Sequence, residues 1–362
     1  MSVGANRNVQ IRAFMSRHNG NLYIRLLATS LSRIGVEVQS MPTHLTADWL
    51  TKNRDDSGGQ ILHFHWPSYS YTVGDREQTR QLVDSWIGLL KLARTLDYKI
   101  VWTAHNLYPH DALHLDLQCK AREHLIRGSS AVIVHTNAAL REITSTFPEL
   151  QPFTVVIPHG HYMGCYSRYH SSSDARVRLG VPKDSFIYLS FGHIRPYKGI
   201  PSLLTTFSEA KLDDSVLLIA GQPWTATIGR DLLTETRSLD HVYLHPFFVP
   251  DDEVPIYFAA ANVVVLAYSE ALTSGVSVLA HSLGKPVIAP AIGGLLEMVP
   301  PGTGWLYDPY DSNGLRDALR LCQNADQAVT SESCIEFARS LDWHTIALAT
   351  RELYLTILGP DR

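Results

Sequence analysis

Cysteine is scarce in this chain of 362 residues: Cys119, Cys165, Cys322 and Cys334 are the only four, and none forms a CxxC pair. Neither a zinc knuckle nor a disulfide framework is indicated, and the usage fits a reducing cytosol. No stretch reaches the ~18 consecutive apolar residues of a membrane span. The opening MSVGANRNVQIRAFM has no apolar run behind a basic patch, so it does not read as a secretory signal. An excess of positive charge is missing too: 31 Lys and Arg against 35 Asp and Glu leave a net charge of −4, which speaks against a broad nucleic-acid surface. There is no D-x-D triplet, the usual carboxylate pair for a metal–diphosphate complex. There is no phosphate loop of the G-x-x-x-x-G-K-[ST] type and no G-x-S-x-G elbow. A P-loop NTPase and a serine hydrolase therefore have no support. Heptads, short repeats and low-complexity tracts are also lacking.

What is present is apolar material for two cores, with 45% hydrophobic and 18% charged residues. Short apolar runs at 61–65, 100–104, 131–135 and 154–157 read as strands, followed by a second series at 186–191, 216–220, 242–244, 263–267 and 286–289. Several have little polar alternation, as parallel strands covered on both faces do. Amphipathic stretches at 23–34, 79–96, 121–127 and 202–210 lie between them and read as helices. This rhythm predicts α/β units in both halves. Residues 159–174, with Gly160, Gly164 and a triple serine, read as a connection. The expected organisation is a first domain over 1–165, a linker over 166–182, a second domain over 183–340 and a terminal amphipathic helix over 341–362. Open parallel sheets bind ligands at the carboxyl ends of their strands, so the residues just past the strand runs are the candidates for function.

Four such segments stand out. FGHIRPYKG at 191–199 places Gly192, His193, Arg195 and Lys198 between a strand and a helix. Two cations beside free helix N–H groups suit a diphosphate; a solvated basic loop would look the same. Thr273, Ser274 and Gly275 precede an apolar helix and offer hydroxyls and open N–H groups, or a plain helix cap. WTAH at 102–105, with Asn106, ends a strand, and His105 there could be a base or a hydrogen-bond donor. A glycine pair, Gly293 and Gly294, with Glu297 suggests close backbone approach to a ligand or a simple turn. HFHW at 63–66 and PHGH at 158–161 look metal-like, yet no carboxylate or third histidine lies at ligand spacing on the same element, so no metal site is expected. Strand alternation puts His63 and His65 on one face.

Taken together, these segments resemble the GT-B glycosyltransferases, in particular the family-4-like group that carries the glycosyl transferases group 1 domain. The resemblance is strongest from Phe186 to Pro309, where FGHIRPYKGI, LLIAGQP, LTSGVSVLAHSLGKPVIAPAIGGLLEMV and GTGWLYDP follow in the family's order. VWTAHNLYPHD, VIVHT and VVIPHG match the first half more loosely. The resemblance implies two Rossmann-like domains flanking a cleft, a nucleotide-sugar donor on the second, an acceptor on the first, and a final helix crossing back to the first. It implies a basic pair for the donor diphosphate. Lys198 matches the family's lysine, His193 stands where an arginine is usual, and Arg195 lies two residues on. It places Gly192, His193, Arg195, Lys198, Thr273, Ser274 and Gly275 on the donor side. Asn19, Gly20, His105, Asn106 and Asp111 fall on the acceptor side. Of the family's two glutamates eight residues apart, Glu270 lies near the first position and Leu279 occupies the second. That pair belongs chiefly to retaining members, and some related bacterial mannosyltransferases invert, so both stereochemical outcomes stay open.

The chemistry implied is metal-independent and cofactor-free transfer of a sugar from GDP-mannose or a UDP-sugar to a hydroxyl of a saccharide, lipid-linked or small-molecule acceptor. Leaving-group charge would fall to Arg195, Lys198 and the 273–275 turn, and an inverting path would take its base from His105, Asp111 or Glu270. The alternatives are a nucleotide-sugar epimerase or phosphorylase on the same fold, and a sugar-nucleotide-binding protein without turnover. The expected location is the cytoplasm, with peripheral membrane contact left open, as is the oligomeric state. No nucleic-acid partner is expected.

Overall fold

The computed structural model describes residues 10–16, 21–55, 59–109, 113–150, 153–166 and 171–359. Among them the chain forms two parallel six-stranded sheets. The first contains β1 (Ile11–Ser16), β2 (Glu37–Met41), β3 (Gly59–Phe64), β4 (Lys99–Thr103), β5 (Ala131–Val134) and β6 (Thr154–Val156), in the order β2-β1-β3-β4-β5-β6. The second contains β7 (Phe186–Phe191), β8 (Ser215–Ala220), β9 (Val242–His245), β10 (Val263–Val265), β11 (Val287–Pro290) and β12 (Gly304–Tyr307), in the order β12-β11-β10-β7-β8-β9. Every neighbouring pair is parallel. The interior strands β5, β8 and β10 are buried at every position and, apart from Ser215 at the start of β8, apolar, as strands roofed by helices on both faces must be. The α/β class is the one the rhythm predicts.

The chain divides into two compact units, Met1–Gly160 with Trp343–Arg362, and His161–Asp342. Segment 166–182, read above as a linker, contains the helix Ser172–Leu179. Its few apolar residues conceal it. It is held by a Ser171 cap that accepts from Asp174 N at 3.1 Å and by Gly180, which ends it at φ +68°. Arg176 anchors it, donating to Ala260 O at 3.0 Å, to Asn262 Oδ1 at 2.8 Å and to Lys183 O. Strands β1, β2 and β12 are absent from the runs read above. β2 and β12 are edge strands and half exposed; β2 is mixed in polarity and β12 is only four residues long, so neither shows the signature of the buried strands.

The final helix, Trp343–Leu358, belongs to the first unit. It packs on the helix Leu22–Arg33, and Trp343, Ile346, Ala347, Leu353, Tyr354 and Leu358 join a core with Ile11, Ala13, Tyr23 and Leu27. The docking is close where Gly160 meets the Trp343 indole: a Cβ at Gly160 would stand 2.3 Å from that ring. Gly160→Ala should therefore destabilise the protein by about 1–3 kcal/mol, as overpacking does. Chemical denaturation checks this, and an unchanged midpoint would mean that the terminal helix is not seated against this segment.

Candidate functional site

In the second unit, β7 hands the chain to the cationic loop. Gly192 turns it at φ +91°. Ile194 N then donates to Gln222 O, and Trp224 N to Ile194 O, both at 2.9 Å. These bonds zip the segment after β7 to the segment after β8. The approach is so close that a Cβ on Gly221 would lie 2.1 Å from Gly192 O. A short 3-10 turn, Pro196–Lys198, ends on Gly199 at φ +63° and leads into the helix Ile200–Ala210.

This turn draws Lys198 inward. Only 6% of the residue is exposed, its Nζ donates to Phe191 O at 3.0 Å, and it lies 5.6 Å from the Tyr268 ring centroid. Burial, and next the charge of Arg195, lower its pKa to about 7. Arg195 is half-buried and its guanidinium lies 3.8 Å from the Trp224 ring centroid, a cation–π stack that aims a flexible side chain. His193 is exposed. A buried cation held by one carbonyl oxygen is a poor structural device and a good anion receptor, because a phosphate oxygen would supply the countercharge it lacks.

The helix Gly275–Ser282 begins beside this loop: a Cβ on Gly192 would stand 3.7 Å from Val276 Cγ2. Ser274 caps the helix, its Oγ accepting from Ser277 N at 3.2 Å. Ser274 N and Thr273 Oγ1 contact Met298 Sδ at 3.4 and 3.5 Å. The Ser274 hydroxyl thus serves the cap, and the turn's outward offering is the first-turn N–H groups of Gly275 and Val276. Glu270 is exposed in the preceding loop. Leu279 is buried in the core of this unit, so the second position of the usual glutamate pair is occupied by packing rather than by a carboxylate.

In the first unit, the carboxyl edge of the sheet gathers histidines. His65 directly follows β3, His105 comes two residues after β4, His135 directly follows β5, and His159 comes three residues after β6. His105 is 9% exposed. Its ring stacks on Trp66 at 4.0 Å and 13°, meets the Tyr23 ring edge-on at 4.9 Å, and its Nε2 lies 3.2 Å from His65 Nδ1. His63 stacks on His65 at 4.4 Å, the shared face that strand alternation predicts. Its Nδ1 bonds the Tyr354 hydroxyl at 2.6 Å and its Nε2 bonds Thr103 Oγ1 at 2.7 Å. His135 and His159 donate from Nδ1 to Ile157 O and Gly160 O, each at 2.8 Å. Burial pushes His63 and His159 down to about 3 and His135 to about 4. His105 is held well below its ordinary value by burial and then by its histidine neighbours. His63, His105, His135 and His159 are therefore neutral imidazoles near pH 7, each carrying one N–H.

Asn106 lies half-buried in the loop after His105. Asn19, Gly20 and Asp111 fall outside the described residues. Among those residues, no group of three or more His, Cys, Asp or Glu is arranged to hold a metal ion, and no helix is long and apolar enough to cross a membrane. Sequence reasoning missed Trp224 and Tyr268 as neighbours of the cations, and the convergence of His65, His135 and His159 on His105. The signal for the histidines was available: one follows the end of each of four successive parallel strands.

Residues 171–340 match the family model described as glycosyl transferases group 1. A GDP-mannose:glycolipid 4-beta-D-mannosyltransferase of Xanthomonas campestris pv. campestris is 29% identical over 83% of this chain and 81% of that protein. A D-inositol 3-phosphate glycosyltransferase of Kineococcus radiotolerans is 26% identical over 92% of this chain and 89% of that protein. Among solved structures, a sucrose-phosphate synthase from Thermosynechococcus elongatus superposes with a TM-score of 0.73 at 21% identity, covering 95% of this chain and 98% of that one. Anabaena HepE in complex with UDP-glucose does so with a TM-score of 0.71 at 17% identity, covering 95% and 99%. These structural likenesses show the fold.

The burial of Lys198 has a consequence for stability. An unfolded lysine titrates near ~10.4, and this one is lowered to about 7 in the fold. Below pH 7 both states are protonated and the fold bears the full cost of the buried charge. Above pH 7 the unfolded state binds more protons, so that cost fades as pH rises toward 10. Lys198→Met should therefore be more stable than the wild type at pH 6, with the gain shrinking at pH 9.5. Urea midpoints at the two pH values test it; equal effects at both would contradict the lowered pKa.

Proposed function

Because this chain is a glycosyltransferase of GT-B fold, with a glycosyl transferases group 1 domain over residues 171–340, we propose that it transfers mannose from GDP-mannose to a hydroxyl of a glycolipid, without a metal and with inversion. The observation that carries the reading is Lys198, a buried ammonium at a strand end with one carbonyl partner, beside the Arg195 guanidinium. Donor and acceptor class follow the mannosyltransferase of Xanthomonas campestris, which aligns over most of both chains. Two observations favour inversion. That relative is named for a β-linked product, whereas the mannose of GDP-mannose is α-linked. Leu279, buried in the core, leaves this chain without the second carboxylate of the glutamate pair.

In the reaction, the bond from the anomeric carbon to the diphosphate breaks and the electron pair leaves with the diphosphate. Lys198, Arg195 and the N–H groups of Gly275 and Val276 stabilise that growing negative charge. Fixed cations and a helix terminus replace the metal that a D-x-D pair would have held. The acceptor oxygen forms the new bond to the anomeric carbon, and its proton passes to neutral His105. Binding GDP-mannose places a diphosphate against Lys198 and restores the ammonium's protonated state.

Lys198→Ala should lower kcat/KM for the donor by about 2–4 kcal/mol of transition-state stabilisation, with kcat itself reduced, because the contact tightens as the leaving group gains charge. Arg195→Ala should show a smaller loss, and Lys52→Ala and Lys183→Ala none; a Lys198 variant as active as these controls would place the diphosphate elsewhere. Transfer should proceed unchanged in EDTA, and loss of activity restored by Mg²⁺ or Mn²⁺ would contradict the metal-free reading. The product's anomeric proton, read by NMR from GDP-mannose and a lipid-linked saccharide, should report a β linkage; an α linkage would exclude inversion. A panel of UDP-sugars run beside GDP-mannose decides the donor.

A further inference from the structure

The geometry points to His65 as a positioning residue that accepts the Nε2–H of His105 at its own Nδ1, and so keeps Nδ1 of His105 bare to take the acceptor proton. The inference rests on the reading of His105 as the group that accepts that proton. The two nitrogens stand 3.2 Å apart, and between two neutral imidazoles such a contact holds one proton. If His65 donated, His105 would carry its proton on Nδ1 and its Nε2 lone pair would be occupied, leaving no nitrogen able to accept. If His105 donates, its Nδ1 is free to act.

His65 cannot easily turn away from this task. It is 1% exposed and its ring stacks on His63 at 4.4 Å and 29°. His63 is pinned at both nitrogens, by the Tyr354 hydroxyl at 2.6 Å and Thr103 Oγ1 at 2.7 Å. Tyr23 closes the cluster, with edge contacts to His65 at 5.6 Å and His105 at 4.9 Å. The His105 ring is fixed on its other side by the Trp66 stack at 4.0 Å. The orienting partner here is an imidazole, where a carboxylate more often serves. In the reaction the acceptor O–H bond breaks, its proton moves to His105 Nδ1, and His105 becomes an imidazolium. Its Nε2–H···Nδ1 bond to His65 then becomes charge-assisted and shortens, which is the stabilisation an orienting partner supplies. No proton leaves His65.

The test uses the full chain labelled with ¹⁵N-histidine. Long-range ¹H–¹⁵N spectra of the wild type should show His105 as a single tautomer protonated at Nε2. His65→Asn, whose amide oxygen takes the place of Nδ1, should keep that tautomer, and His65→Leu should give a mixture or the opposite form. In transfer assays His65→Leu should lower kcat by about 10- to 100-fold, the size of loss found when the partner orienting a metal-bound histidine is removed. Donor KM should stay within about twofold, and His65→Asn should recover most of kcat. The double variant His65→Leu/His105→Ala should be no slower than His105→Ala alone. A wild-type His105 protonated at Nδ1, or an unchanged tautomer in His65→Leu, overturns the proposal whether or not turnover is measured. Absence of transfer by the wild type with every donor would instead sink the reading of the function, and the spectra would still decide the His65–His105 bond.

Discussion

A parallel strand has to be followed by a crossover, so every strand of a parallel sheet delivers its chain to the same edge. Both sheets of this protein are parallel throughout, and their chemistry sits where that constraint puts it. In the first unit, His65, His105, His135 and His159 are far apart in sequence, yet each comes within three residues of a strand's carboxyl end. In the second, the segments after β7, β8 and β10 supply Gly192 and Lys198, then Gly221 and Trp224, then Tyr268 and Ser274. The apolar strands are therefore more than a core. Their direction is what turns scattered polar residues into clusters.

These edges hold groups that a fold selected for stability alone would avoid. Lys198 is buried with one carbonyl oxygen for its ammonium, and burying a charge without a countercharge is costly. The histidines are kept neutral by burial and by one another, and His135 Nε2 is buried without a hydrogen-bond partner. Surrounding packing offsets such costs. The strands beneath the lysine contribute Leu189, Leu218 and Val264, all fully buried. The buried lysine gains most from an anion, and the imidazoles that burial keeps neutral are suited to hydrogen bonds with hydroxyl groups.

The end of the chain takes part in this arrangement. The helix Trp343–Leu358 completes the core of the first unit, and its Tyr354 hydroxyl reaches His63 Nδ1. His63 in turn stacks on His65, whose Nδ1 faces His105. A residue from the last helix thus supports, two rings away, the orientation of the histidine that reads as functional. A swapped segment of this kind ties the integrity of the site to the seating of the terminus.

The amino-acid sequence by itself determined the fold class, most strand positions, several of the helices and the placing of the glycine–cation loop at 192–198 and of His105 just past strand ends. Those features are local, since apolar runs, strand-end glycines and helix caps express themselves over a few residues. The edge strands β2 and β12 and the helix Ser172–Leu179 were hidden because half-exposed or cap-held elements have no distinctive apolar pattern. Tertiary structure alone decided the rest. Which of seventeen histidines converge, that Lys198 is buried while His193 is exposed, that Arg195 lies against Trp224, and that Tyr354 supports His63 all depend on contacts between distant segments. Such contacts follow from strand order and crossover packing, which no local window of residues encodes.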